Sequence, residues 1–76
     1  MLGREATIWV YGEGGVQLRI ATPGQMRVRL LADGNLVDQR RVSDAVVMGT
    51  TLTGMRWHSL LLVTSSAGLR LGQVSF

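Results

Sequence analysis

The chain has 76 residues, the length of one domain. It contains no cysteine, which excludes disulfides and thiolate zinc sites, and only one histidine, which excludes a histidine-rich metal site. It is 46% hydrophobic and 17% charged, and no apolar run approaches the roughly 18 residues of a membrane-spanning segment. All eight basic residues are arginine and the formal net charge is +3, a balance that is compatible with nucleic-acid binding without requiring it.

A chain of this size rarely builds a core that contributes more than about 3–5 kcal/mol by itself. Small domains gain further stability from disulfides, metals or oligomerisation, and the composition leaves oligomerisation as the available route. The first residues, M-L-G-R-E-A-T, contain no long apolar core after a basic start, so we expect no signal peptide. The expectation is one cytoplasmic domain, residues 1–76, that associates with copies of itself and does not enter a membrane.

Turn-forming residues recur about every ten residues, with apolar and β-branched runs between them, and no window has a helical period. The segment Gly12-Glu13-Gly14-Gly15 predicts a hairpin turn after the first run, and Pro23-Gly24 predicts a turn after the second. Asp33-Gly34 predicts a two-residue type I′ hairpin, because that turn needs positive φ at both positions. Further turns are predicted at 43–44, 49–54 and 65–68. The strands between them are 6–11, 16–21, 26–31, 35–42, 45–48, 55–63 and 69–76.

Alternating polarity assigns faces to these strands. In 16–21 and 26–31 the apolar residues point one way and Arg19, Arg27 and Arg29 point the other, which predicts a sheet with one dry and one solvated face. Arg19, Arg27 and Arg29 are expected to share one basic face of a hairpin joined by Pro23-Gly24. Leu60 to Val63 is apolar on both faces, so its strand is either central between two layers or in contact with a neighbouring subunit. We predict an all-β fold, a small antiparallel β-sandwich of about seven strands.

Catalysis has little support in the sequence. The five acidic residues lie mostly at predicted turns, where they stabilise local backbone hydrogen bonds, and no nucleophile motif surrounds a serine. We therefore expect a protein that is not an enzyme. In M-R-W-H-S-L, Arg56 and His58 share one face of a strand and Trp57 takes the other. Two interpretations stay open: a nucleic-acid contact through Arg56 and His58, or a solvated outer face with Trp57 in the core.

Residues 7–24 resemble the N-terminal strand pair of the trp RNA-binding attenuation protein family. Their sequence is T-I-W-V-Y-G-E-G-G-V-Q-L-R-I-A-T-P-G. In that family an acidic-glycine-valine turn is followed by an amide residue and then by a threonine before a glycine. The residues here that match this order are Glu13, Gly15, Val16, Gln17, Thr22 and Gly24. Residues 46–59 resemble the family's segment in which threonines precede a basic-apolar-basic strand. Their sequence is V-V-M-G-T-T-L-T-G-M-R-W-H-S. The family forms rings of eleven or twelve subunits with sheets that continue across subunit boundaries. The resemblance implies such a ring here.

In that family single-stranded RNA wraps around the ring and tryptophan binds between subunits. By the resemblance, Arg56 and His58 take the places of two RNA-contacting basic residues, and Arg40 lies near the third. Thr22, Gly24 and Thr51 correspond to the ligand site, so tryptophan or another small molecule at the subunit interface is the implied ligand; no other cofactor is expected. Repetition around the ring would let weak RNA contacts add by avidity.

Two alternatives stay open beside an RNA-binding regulatory ring. The first is a structural or assembly ring, of phage origin, that binds neither RNA nor tryptophan; Ile20 and Met26 favour it, because they stand where the family's ligand loop has a glycine and an acidic residue. The second is a small-molecule sensor that uses an intersubunit pocket near Thr22 and Thr51.

Overall fold

The computed structural model describes residues 5–66 and 68–75, and these form one antiparallel sheet of five strands. Position 67 of the predicted 65–68 turn and the last residue of the predicted strand 69–76 lie outside the described residues. The described part of the chain contains no helix that could cross a membrane. The strands are β1 Glu5–Ala21, β2 Met26–Ala32, β3 Asn35–Val42, β4 Ala45–Thr64 and β5 Arg70–Ser75, in the order β3-β2-β4-β1-β5.

Two long strands replace four predicted short ones, so the prediction of about seven strands is wrong in number while the all-β class is confirmed. The predicted turns at 12–15 and 49–54 are wrong, because the backbone continues through both as strand with a bulge. At this bulge the pairing shifts from Gly12 opposite Arg56 to Gly14 opposite Leu52. Gly54 has φ +91°, which glycine adopts without the steric penalty of a side chain.

The bulge bends the sheet. A straight strand of the 20 residues of β4 would be roughly 66 Å long, yet the longest dimension of the molecule is 36 Å. We call the part on one side of the bulge the four-strand arm; it contains β3, β2, residues 56–64 of β4 and residues 5–12 of β1. The three-strand arm contains residues 45–52 of β4, residues 14–21 of β1 and β5.

One apolar core joins the two arms. The inward positions of the four-strand arm include Val28, Leu30 and Leu60, and those of the three-strand arm include Leu18 and Met48. All five side chains are fully buried. The predicted inward faces of 16–21 and 26–31 are therefore confirmed, and each arm gains the apolar layer that a lone sheet would leave in water.

The connections also differ in part from the prediction. Asp33-Gly34 forms the predicted type I′ turn between β2 and β3, with φ values of 53° and 84°. Pro23-Gly24 lies at a bend between β1 and β2, but β4 separates these strands in the sheet, so they are not a hairpin. The single basic face expected for Arg19, Arg27 and Arg29 is consequently wrong: Arg19 belongs to the three-strand arm.

Candidate functional site

Asp33 connects the β2–β3 turn to β4 through a group of polar contacts. Its backbone N–H donates to the carbonyl oxygen of Ser59 over 2.9 Å, and its Oδ1 accepts from the Ser59 N–H over 3.2 Å. Its Oδ2 lies 2.6 Å from His58 Nδ1 and 3.1 Å from a terminal guanidinium nitrogen of Arg56. The left-handed backbone conformation of Asp33 in the turn thus presents its carboxylate to two cationic side chains.

His58 lies beneath this group with only 1% of its surface exposed. Its Nδ1 contacts the Asp33 carboxylate, and its Nε2 lies 2.8 Å from the carbonyl oxygen of Gly54 at the bulge. Both partners accept hydrogen bonds, so both ring nitrogens must donate, and the form that does so is the imidazolium. A charged His58 raises the formal net charge of the chain from +3 to +4.

The electrostatics agree with this geometry. The hydrogen bond that His58 donates to Asp33 raises the pKa of His58 above its ordinary 6.5, with the bond to the Gly54 carbonyl as second cause, against opposing contributions from burial and Arg56. The hydrogen bond from His58 lowers the pKa of Asp33 below its ordinary 3.8, assisted by the Ser59 N–H and the Arg56 charge. The pair has no free acceptor nitrogen on the imidazole, so this His–Asp pair is not arranged as a general base.

Of the three residues expected to contact RNA, the structure brings Arg56 and His58 together and leaves Arg40 apart. Arg56 is exposed, but the expectation that His58 lies on an exposed face is wrong, because the imidazole is buried. Arg40 lies on β3 opposite Val28, roughly 13 Å along β2 from the turn, and its Nε pairs with Asp38 Oδ2 at 3.3 Å. RNA contact by Arg40 and Arg56 stays a prediction.

The residues expected to bind a ligand do not meet within one chain. The hydroxyl of Thr22 is buried and donates to the carbonyl oxygen of Gly24 over 2.8 Å. Thr51 instead lines a shallow groove on the three-strand arm with Gly15 and Gly49. In the β1–β4 pair, Thr51 lies opposite Gly15, and Ala45 lies opposite Ala21, which directly precedes Thr22. The distance along the strands from the level of Thr51 to the level of Thr22 is therefore roughly 20 Å. A site that used both threonines would need two subunits, and their ligand role stays a prediction.

Three aromatic side chains lie together on the outward face of the four-strand arm. Trp9, Tyr11 and Trp57, here the aromatic cluster, are 64%, 56% and 61% exposed. Tyr11 and Trp57 are cross-strand partners whose ring centroids are 5.4 Å apart in an edge-to-face arrangement. The interpretation of Trp57 as a core residue is wrong. Alternation could not identify this face, because 8–11 is apolar at every position.

The other end of the same outward face is basic. Arg27 and Arg41 are cross-strand partners, and Arg29 follows Arg27 two residues along β2. We call these three exposed residues the arginine cluster. Like charges placed directly opposite each other are unfavourable, and in the described residues none of the three has a salt-bridge partner. The predicted hairpin placed Arg27 and Arg29 on one face, but it did not indicate Arg41 as their neighbour, because the register shift between Leu30 and Leu31 moves Arg41 instead of Arg40 opposite Arg27.

In comparisons with known proteins, no family model, no curated protein and no solved structure matches this chain. The likeness to the trp RNA-binding attenuation protein family therefore depends on segments 7–24 and 46–59 alone and stays a prediction.

Proposed function

We propose that this chain is the subunit of a closed homo-oligomeric ring that binds single-stranded RNA. The observation that carries the proposal is a pair of open, uncharged strand edges. Within the described residues, 6–12 of β1 pair on one side only, with β4, and 45–52 of β4 pair on one side only, with β1. Unpaired backbone N–H and C=O groups on such edges are templates for pairing with another chain.

Charge distinguishes these two edges from the edge at β3. Residues 6–12 of β1 and 45–55 of β4 contain no charged side chain, whereas β3 contains Asp38, Arg40 and Arg41. Charged side chains discourage edge-to-edge pairing, and uncharged apolar edges permit it. The two uncharged half-edges are therefore the surfaces that a neighbouring copy would cover.

The edges belong to different arms, which favours a ring over a two-fold dimer. Residues 6–12 of β1 terminate the four-strand arm, and 45–52 of β4 terminate the three-strand arm. Pairing one subunit's four strands with the next subunit's three would give a continuous sheet of seven strands. Because the two edges differ, the contact is head-to-tail, and such a contact closes into a ring when its rotation divides the circle.

The RNA part of the proposal rests on charge repeated around that ring. Arg56 and Arg40 present guanidinium groups on the surface, and the buried His58 holds Asp33 in place from below. His58 is thus proposed as a positioning residue and not as an RNA contact. A net charge of +3 or +4 per subunit becomes a large positive field in a ring, which attracts polyanions.

Native mass spectrometry tests the assembly with two matched valines. Val47, 43% exposed, lies on the uncharged β4 edge, and Val37, 41% exposed, lies on the charged β3 strand. We expect the native protein and Val37→Lys to have the mass of a ring and Val47→Lys to have a lower mass. A monomeric native protein, or equal masses for the two variants, would contradict the edge-pairing proposal.

Fluorescence anisotropy tests RNA binding, with labelled GAG- and UAG-repeat RNA at about 50 mM salt, where phosphate contacts are strong. We expect binding that weakens in Arg56→Gln and Arg40→Gln, with Arg70→Gln on β5 as the control for loss of one charge. A ring that binds neither RNA would remove the RNA proposal and leave the structural assembly ring as the function.

A further inference from the structure

We infer that single-stranded RNA lies along the outward face of the four-strand arm, with bases stacked on the aromatic cluster and phosphates held by the arginine cluster. The inference rests on the RNA-binding part of the proposed function and moves its main contact surface away from Arg56 and Arg40. It commits the face to one occupant, a flexible polyanion with exposed aromatic bases.

The two clusters share one continuous strip of sheet. Arg29 lies opposite Val63 on β4, and Trp57 lies six residues before Val63 on the same strand. The two clusters are therefore roughly 20 Å apart along β4, with the half-buried Leu61 and Val63 between them. Side chains at alternate positions of a strand point to one face, so the strip offers a row of rings that ends in a row of guanidinium groups.

The aromatic cluster has the features of a base-stacking platform. Its three rings are more than half exposed, although each could bury a large apolar area, and they stand on paired strands and not on a loop. Stacking of a base on an aromatic side chain is tolerant of sequence, because every base has a π face. The edge-to-face packing of Tyr11 on Trp57 fixes the orientation of both rings before any ligand arrives.

Among residues 5–66 and 68–75, no carboxylate lies within salt-bridge distance of the arginine cluster. Asp33 and Asp38 are engaged by Arg56, His58 and Arg40, and a Glu13 carboxylate oxygen accepts the Gly54 N–H over 3.2 Å. The other two acids of the chain are Glu5 and Asp44. Glu5 is in the row of Arg29 but on β1, with β4 between them.

The same charge distribution argues against a second copy on this face. A copy of this chain offers few free carboxylates, so docking it here would bury guanidinium groups without partners, which is costly. RNA supplies a phosphate for each arginine and a base for each ring. The edges proposed for subunit pairing lie at the margins of the sheet, so ring closure leaves the outward face available.

The two tryptophans of the chain are both in the aromatic cluster, so intrinsic fluorescence reports directly on this surface. The native protein is titrated with GAG-repeat RNA and with unlabelled oligouridylate while tryptophan emission and anisotropy are recorded. Stacking predicts quenching that saturates together with binding. Trp9→Ala and Trp57→Ala are each expected to weaken binding about 5- to 150-fold, the effect of removing one stacked base.

The triple variant Arg27→Gln, Arg29→Gln, Arg41→Gln tests the phosphate contacts. Loss of three contacts to single-stranded RNA should reduce the slope of log affinity against log salt by about 2. Arg19→Gln, on the three-strand arm, is the control for loss of one charge away from the arginine cluster and should leave affinity unchanged. Circular dichroism confirms that each variant is folded.

The outcomes separate this inference from the proposed function. RNA binding that persists in all cluster variants without tryptophan quenching, but fails in Arg56→Gln and Arg40→Gln, would overturn the inference alone. No RNA binding by the native protein would overturn both. Tryptophan variants that change the native mass instead of RNA affinity would assign the face to a second copy and also overturn the inference.

Discussion

Gly49 lies opposite Gln17 in the β1–β4 pair, at a position that leaves no room for a side chain. A Cβ atom built there would be 2.7 Å from the carbonyl oxygen of Val16. A close but ordinary carbon–oxygen contact is about 3.3 Å, so Gly49→Ala requires β1 and β4 to separate locally by about 0.6 Å. Because the obstructing atom belongs to the backbone, no side-chain rotation relieves the contact.

The size of the effect follows from two opposing contributions. Overpacking of this kind costs about 1–3 kcal/mol, and replacing glycine by alanine returns about 0.4–1 kcal/mol by restricting the unfolded chain. The net expectation for Gly49→Ala is a loss of about 1–2 kcal/mol in the free energy of unfolding. For a domain of this length that corresponds to a Tm lower by about 4–16 °C.

Gly15→Ala is the matched control, because Gly15 lies in the same strand pair and no atom lies within 4 Å of its Cβ position. We expect Gly15→Ala to be neutral or to raise the free energy of unfolding by about 0.4–1 kcal/mol. Thermal and urea unfolding, followed by circular dichroism at one fixed protein concentration, measure both variants; a fixed concentration matters because oligomerisation shifts Tm. Equal Tm values for the two variants would refute the close approach of β1 to β4 at Gly49.

Three other predictions follow from buried and exposed positions. His58 has a raised pKa in the folded state, so the stabilisation by its imidazolium is present in full below pH 6.5 and is lost as pH rises through the folded pKa. Urea unfolding from pH 5 to 9 should show this decline in the free energy of unfolding of the native protein and a flatter pH profile in Asp33→Asn. Leu60→Ala should lower the free energy of unfolding by about 3–5 kcal/mol, because Leu60 is fully buried. Val47→Ala, at an exposed position, should change the free energy of unfolding of the dissociated subunit by about 0.5 kcal/mol or less. Chemical denaturation that ranks the two variants in the other order would contradict the assigned core. Trp57→Ala should lower it by no more than about 1.5 kcal/mol, the value of its ring contact with Tyr11, and a larger loss by calorimetry would mean that Trp57 is buried.

The candidate site was predictable only in part. Arg56 and His58 could be selected because a basic-aromatic-basic run on a strand is visible in the sequence, but the exposure of His58 could not be read from it. Arg56 and His58 are both at even positions of β4, yet one is exposed beside the turn and the other is covered. What decides between them is the pairing with β1: His58 lies opposite the buried Val10, whereas Arg56 lies opposite Gly12, where the pairing shifts at the bulge.

The outward position of the aromatic cluster also could not be predicted from the sequence. Trp9 and Tyr11 alternate with Ile8 and Val10, so both faces of that segment are apolar and local pattern cannot choose the inward one. Packing of the two arms chooses it, because Val10 faces the shared core and the rings then point outward.

Three features were predictable from the amino-acid sequence: the all-β class, the type I′ turn at Asp33-Gly34 and the inward faces of 16–21 and 26–31. These depend on turn chemistry and on the two-residue period of a strand. That Gly12 to Gly15 and Gly49 to Gly54 continue as bulged strands depends instead on long-range pairing. Glycine permits a turn and a bulge equally well, and the choice depends on whether the partner strand continues alongside. That pairing, between residues some 40 positions apart in the chain, also bends the sheet and leaves the two uncharged edges open.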